Sequence, residues 1–412
     1  MSEDPAVATV SAAGVVTGVA AGTTTVRAIA KGAVGTARIT VADLAFSSLY
    51  LGSRSSCAGT VSGTLYCWGN NGPGVIGSLL DDEICYVDLF CSSTPRVGVA
   101  APIFAQVTMG AAHSCGLVPT GAAYCWGRND ENNLGAVSSE TCQVKTTPVA
   151  CSHTPLMVEG GHSFTALSVG SEALQTCGLD AGATAWCWGN TASGSTRTPV
   201  AVPGGLALAS VATGVVHACG LTATGAAYCW GSDELGPIGT GGATGASPRP
   251  VTGGLAFRVL TAAYDHTCGL TSAGAAYCWG ANAGGQLGDG TRTARPAPTA
   301  VVGGLKFAAI SAGHDHTCGV TIAGLAYCWG ANIDAGGILG GWLGDGTTES
   351  KAVPVTVARG LVFAEVLASR AFTCGRTTTA RIYCWGSNRF GNLGIGSWGN
   401  FVAMPVGLGG LP

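Results

Sequence analysis

The feature that most constrains this chain is a C-x9-C spacing that occurs seven times, each time with Trp-Gly directly after the second cysteine. The pairs are Cys57 and Cys67, Cys115 and Cys125, Cys177 and Cys187, Cys219 and Cys229, Cys268 and Cys278, Cys318 and Cys328, and Cys374 and Cys384. Their first cysteines are spaced by 58, 62, 42, 49, 50 and 56 residues, so one unit is written seven times. A period of this length, rich in β-formers, points to propeller blades or a β-solenoid. With 67 glycines in 412 residues a helical fold is excluded, since each interior glycine costs a helix roughly 1 kcal/mol. The glycines keep no three-residue period, which excludes collagen. A hydrophobic fraction of 47% is too high for a disordered chain. No apolar run approaches the ~18 residues of a membrane span, and a formal charge of -3 argues against a nucleic-acid partner.

The unit reads most clearly from Asp265 to Gly280. Two short alternating runs flank Ser272-Ala273-Gly274, the pattern of a three-residue hairpin loop with glycine in the left-handed position. Gly63, Gly121, Gly225, Gly274 and Gly324 fill that position, the third repeat offers Gly182, and the seventh has Ala380. With Thr271 opposite Ala275, alternation makes Cys268 face Cys278 in a non-hydrogen-bonded pair, where Cα atoms approach to ~4.5 Å. Seven cross-strand disulfides are therefore expected, one per blade. Cys85 with Cys91 and Cys142 with Cys151 form two further local pairs, which brings the count to an even 18. Zinc knuckles of the C-x2-4-C kind are absent, so disulfides in an oxidising compartment are the preferred reading over buried thiols or metal ligands.

Tyr277-Cys278-Trp279-Gly280-Ala281-Asn282, then Gln286-Leu287-Gly288-Asp289-Gly290-Thr291, Pro296 and Gly303-Gly304-Leu305, resembles the regulator of chromosome condensation repeat. The resemblance covers residues 44–412. It implies a fold that is all-β, a seven-bladed β-propeller of four-stranded antiparallel blades. The cysteines depart from the nuclear members and resemble secreted bacterial relatives. The chain closes on Pro405-Val406-Gly407-Leu408-Gly409-Gly410-Leu411 and the propeller opens on Leu44-Ala45-Phe46, so the two ends are expected to meet in one ring.

Residues 1–43 resemble the C-terminal half of a bacterial immunoglobulin-like group 2 domain, through Asp4–Ser11, Gly14–Thr23 and Ala37–Val41. This short half of an immunoglobulin-like β-sandwich would expose strand edges. Either it continues a longer gene product, the preferred reading, or strands of a neighbouring subunit complete it and build a fibre. Met1-Ser2-Glu3-Asp4 shows no signal-peptide pattern.

Catalytic motifs are scarce. Two Gly-x-Gly-x-x-Gly strings, from Gly72 and from Gly394, precede no helix and match the chance expectation for so glycine-rich a chain. His113, His217, His266 and His316 each stand two residues before the first cysteine of a repeat. Repetition favours a structural side chain bonded within its own blade over a metal-binding ring at the axis. Asp289 and Asp345 read as turn residues. Asp81, Asp82, Glu83 and Asp88 are a better calcium candidate, although a solvated loop explains them. No catalytic, cofactor or metal residue is assigned.

Extra residues follow Trp-Gly in the first repeat (70–95), the second (128–155) and the sixth (330–346), all in the same connection and so on one face of the disc. Tyr86, Phe90, Trp342, Phe390, Trp398 and Phe401 are the candidate contacts there, since aromatics in loops anchor interfaces. The leading expectation is a non-catalytic binding or adhesion scaffold, extracellular or on the surface of a bacterium, recognising a protein or a surface polysaccharide. Alternatives are a fibre subunit that self-associates through the N-terminal half domain, and an enzyme inhibitor, as resemblance to secreted propellers that inhibit β-lactamases implies. Nucleotide exchange on a small GTPase, the activity of the nuclear relatives, is the least favoured.

Overall fold

Strands Phe257–Ala262, His266–Thr271, Ala276–Gly280 and Arg295–Ala300 form one antiparallel sheet in chain order, and this arrangement is built seven times around an axis. The chain is seen here as a computed structural model that describes all residues except 12–13, 19–21, 31–32, 42–43, 78–82, 86–89, 100–101, 145–146, 235, 241–243, 335–339 and 409–412. The expected register holds: Cys268 pairs with Cys278, and the Thr271 amide donates to the Ala275 carbonyl at 3.0 Å. The seven blade cysteine pairs have Cα–Cα separations of 4.0–4.1 Å, tighter than an ideal non-hydrogen-bonded pair. Cys85 and Cys91 also pair, as do Cys142 and Cys151, so all 18 cysteines stand at bonding distance.

The hairpin tip adopts a left-handed backbone in each blade, and in blades two to seven its carbonyl accepts an amide at the start of the next blade, as in Phe307 to Gly274 at 2.9 Å. In the third blade Ala183, at φ 63°, occupies this position rather than the expected Gly182. The Gly after each Trp marks a bulge. Between the third and fourth strands the pairing jumps from Cys278 to Gly280, which lifts Trp279 out of the ladder. A Cβ on Gly386, at φ 101°, would stand 2.7 Å from the Ala371 carbonyl, so a larger residue is excluded.

The freed tryptophans build the core, which is not one mass but seven layers between blades. Trp279 packs on Cys219, Cys229 and Ile238 of the preceding blade, and Trp329 packs on Cys268, Cys278 and Leu287. Each disulfide thus lies under the indole of its neighbour. Trp68 of the first blade fills the same place against Cys374, Cys384 and Leu393 of the seventh. The ring therefore closes without strand exchange: blade seven is Phe363–Ala368, Phe372–Thr377, Ile382–Ser387 and Phe401–Gly407, and blade one starts at Phe46–Leu51. The Phe46 amide donates to the Ala380 carbonyl at 3.0 Å across that seam.

First strands line an axial cavity of about 280 Å³. Their hydroxyls bond the next blade, as where the Ala312 amide donates to Thr261 Oγ1 and the Ala368 amide to Ser311 Oγ. Because first and third strands run the same way, the turns after the first strand and the long connections after the third emerge on one face. The expected common face for the insertions is therefore real. Two of them add short strands, Glu83–Ile84 and Glu140–Val144, to the outer edges of blades one and two, where the extra cysteine pairs tie them down.

Near the N-terminus, Ala8–Val10 pairs with Val16–Gly18, and Gly22–Ala30 pairs with Ala33–Val41. These are two separate two-stranded sheets, with Ala8 and Thr24 buried and Ile29 and Val34 exposed.

Candidate functional site

At the centre of the loop face, turns from five blades converge. Glu172 of blade three accepts from Ser53 Oγ of blade one at 2.9 Å and lies 3.9 Å from His314 Nε2 of blade six and 3.8 Å from Arg370 Nε of blade seven. His314 also bonds Asp315 through Nδ1 at 2.7 Å and stacks on Tyr264 of blade five, ring centroids 4.1 Å apart. Burial works against protonation of His314, yet the Asp315 hydrogen bond and the charges of Asp315 and Glu172 hold its pKa above the ordinary value. Burial alone would raise Asp315, but its bond to His314 and that imidazole's charge bring it below the usual carboxylate range.

Beside this cluster lies a cavity of about 330 Å³ that straddles blades six, seven and one. Blade six supplies His314, Asp315, Asp334 and Trp342; blade seven supplies Arg370, Arg389, Phe390 and Asn392; blade one supplies Ser53 and Arg54. The Arg54 guanidinium sits 5.0 Å from the centre of the Phe390 ring and that of Arg389 sits 6.0 Å from it. Burial lowers the Arg54 pKa, and repulsion from Arg370 and Arg389 lowers it further against the opposing charge of Glu172. The cavity is thus a partly desolvated, arginine-rich recess with aromatic walls.

The structure separates the aromatic candidates. Phe390 lines the cavity. Trp342 lines it too but is only 5% exposed, with its ring 5.9 Å from that of His316 between centroids, and its carbonyl accepts from Trp385 Nε1 and Thr373 Oγ1, both at 2.9 Å. It is a packing residue of the boundary between blades six and seven, not a free contact, and its own indole N–H is buried without a partner among the described residues. Phe90, Trp398 and Phe401 are 43%, 44% and 40% exposed, and Phe90 and Phe401 begin the outer strands of blades one and seven. Tyr86 lies outside the described residues, as do Asp81, Asp82, Asp88 and the side chain of Glu83. Asp289 is a turn residue, accepting from Thr291, Asn282 and, at 2.8 Å, Arg295 Nε; Asp345 does the same with Thr347.

The four histidines bond across blades rather than within them. His113, His217, His266 and His316 reach Thr176, Thr267, Thr317 and Thr373 of the following blade at 2.8–2.9 Å. At three of these boundaries the threonine donates its proton to a loop carbonyl, of Pro237, Gln286 or Trp342, so the imidazole Nε2–H must be the donor. At those three boundaries Nδ1 is then an acceptor, and all four Nδ1 atoms are buried with no partner among the described residues. Burial pushes three of the four pKa values down to about 4 and that of His266 to about 3. A signal for this was present: Thr follows the histidine position of a repeat only where the preceding repeat has His. The arginine recess was not foreseen, since its residues share no motif.

Regulator of chromosome condensation (RCC1) repeat models match residues 273–320 and residues 104–133, 209–236, 307–334 and 366–392. A bacterial Ig-like domain (group 2) model matches residues 1–41. Among solved structures, Prp20p from Saccharomyces cerevisiae is similar at 18% identity and a TM-score of 0.67, covering 89% of this chain and 87% of that one. Human WBSCR16 is similar at 19% identity and a TM-score of 0.66, covering 81% and 87%. The ectodomain of the Physcomitrella patens receptor kinase CR4 gives 22%, a TM-score of 0.52, and coverage of 84% and 74%. At these identities the likeness is one of fold. No curated protein matches the sequence.

Proposed function

We propose that this seven-bladed propeller of regulator of chromosome condensation repeats is a non-catalytic scaffold that binds a protein partner through its loop face. The observation that carries the reading is the recess between blades six, seven and one, with Phe90, Trp398 and Phe401 exposed on the connections of the blades beside it. Aromatic anchors around a partly desolvated pocket are the usual makings of an interface hot spot. The solved structure of Prp20p is described together with its binding to Gsp1p and histones, which supports a protein as the partner class. Nine cysteine pairs at bonding distance and the immunoglobulin-like match support a site of action outside the cell, on or near a bacterial surface. The N-terminal segment serves in this reading as a spacer.

The test is a selection of displayed peptides on the protein immobilised through its N-terminus, followed by affinity measurements on the variant Phe390→Ala/Trp398→Ala/Phe401→Ala. Selected peptides should bind this variant at least tenfold more weakly. Unchanged affinities would show that the loop face is not the binding surface.

A further inference from the structure

Charge balance within the recess specifies more than a generic interface. Asp315 is engaged by His314, and Glu172, just outside, by Ser53, His314 and Arg370. The Arg54 guanidinium has no carboxylate or carbonyl acceptor among the described residues; its contact is the face of Phe390. Arg370 and Arg389 stand close enough to repel it. A cation held over an aromatic ring, partly out of water and facing a cavity, is incomplete without an anion. Glu172 is taken by Ser53, His314 and Arg370, which leaves Arg54 as a cation facing the cavity with no ion pair among the described residues, and one such cation suits a single negative charge better than a dianion. Phe390 and the buried ring of Trp342 offer apolar walls for the stem that carries that charge.

We infer that the recess receives one carboxylate of a polypeptide partner, clamped by Arg54 with Arg370 and Arg389 beside it and its stem lying on Phe390. This assignment rests on the scaffold reading above. The carboxylate comes from an acidic side chain or from a chain end; the chemistry is shared, and the geometry of a planar guanidinium suits either.

The probes are acetyl-glutamate N-methylamide for the side chain, acetyl-leucine for the chain end, acetyl-glutamine N-methylamide as the neutral control, and inorganic phosphate. Ligand-observed NMR titrations against the full chain should show one of the two carboxylates binding at least tenfold more tightly than the amide, and more tightly than phosphate. That affinity should weaken as ionic strength rises. Arg54→Gln should lose the binding, and Arg54→Lys should keep part of it, with near-ultraviolet circular dichroism confirming the fold of each. Affinities of both carboxylate probes no greater than that of the glutamine probe, tighter binding of phosphate, or an unchanged affinity in folded Arg54→Gln would overturn the assignment. If Arg54→Gln does not fold, the comparison of the two carboxylate probes with the glutamine probe and the salt dependence on the unaltered chain decide the matter. Displayed peptides that depend on Phe390, Trp398 and Phe401 yet bind equally well after all their carboxylates are amidated would overturn the carboxylate and leave the scaffold standing.

Discussion

The boundary between blades six and seven and the seam between blades seven and one do the same job with different chemistry. At the first, His316 donates to Thr373, whose hydroxyl donates on to the Trp342 carbonyl. At the second, Phe372 stands where His316 did, and Ser56 stands where Thr373 did. Phe372 is buried in an apolar layer with Phe46, Ile382, Leu393 and Trp68, while Ser56 Oγ and Trp68 Nε1 both donate to the Asn392 carbonyl. The indole-to-carbonyl bond is common to both; the imidazole link is not. At the first boundary the chain runs continuously from one blade to the next, which keeps the polar partners near one another. At the seam the apolar layer around Phe372 takes the place of the imidazole link, beside the bonds of Ser56 and Trp68 to the Asn392 carbonyl and of the Phe46 amide to Ala380.

Acid should separate the two most strongly. The four bridging histidines titrate near pH 6.5 when unfolded but at about 4, or about 3 for His266, when folded. The unfolded chain therefore takes up protons first, so the histidines' contribution to stability is full above pH 6.5 and is lost as pH drops toward 4. Each histidine contributes roughly 3 kcal/mol to that loss by linkage. Melting temperatures measured from pH 7.5 to 4 should fall steeply, and replacing all four histidines by Gln, which blade three already carries as Gln175, should flatten the curve. An unchanged curve would mean that the imidazoles are not neutral and buried.

Truncation should come next. Phe372→Ala at the seam removes a fully buried ring and should cost about 3–5 kcal/mol, whereas His266→Gln should cost about 1–2 kcal/mol. Chemical denaturation of the two variants gives the ranking directly. The seam can also be converted: in Phe372→His the Ser56 hydroxyl, which already donates to the Asn392 carbonyl, is placed to accept the imidazole N–H, so adding Ser56→Ala should cost about 1 kcal/mol more in that variant than in the unaltered chain. Strict additivity of the two changes would show that the imidazole–hydroxyl pairing carries no energy of its own.

The smallest difference lies in the indoles. Trp329 Nε1 donates to the Gln286 carbonyl at 2.9 Å, but Trp188 Nε1 is buried with no acceptor among the described residues. Trp329→Phe should therefore cost about 1 kcal/mol more than Trp188→Phe. Equal costs would assign the tryptophan's role wholly to packing.

Much of this was legible because it is local. The C-x9-C spacing and a Gly-ended loop set the hairpin register by alternation, and Cys268 does meet Cys278. Recurrence of one connection placed every insertion on one face. Gly182 failed as the left-handed residue because Ala183 takes that conformation, a one-residue shift that composition does not reveal. Trp342 reads in sequence as an exposed loop aromatic; the fold buries it at the boundary between blades six and seven, where its carbonyl also accepts from the next blade.

The amino-acid sequence by itself determined the number of blades, the pairing within each hairpin and the disulfide partners, all contacts within about ten residues, where strand alternation leaves one register. Only the tertiary structure decided which blade each histidine and tryptophan bonds, and that Arg54 and Phe390 share one recess. Those pairs are brought together by closure of the ring, and a ring joins residues by angle around an axis, not by distance along the chain.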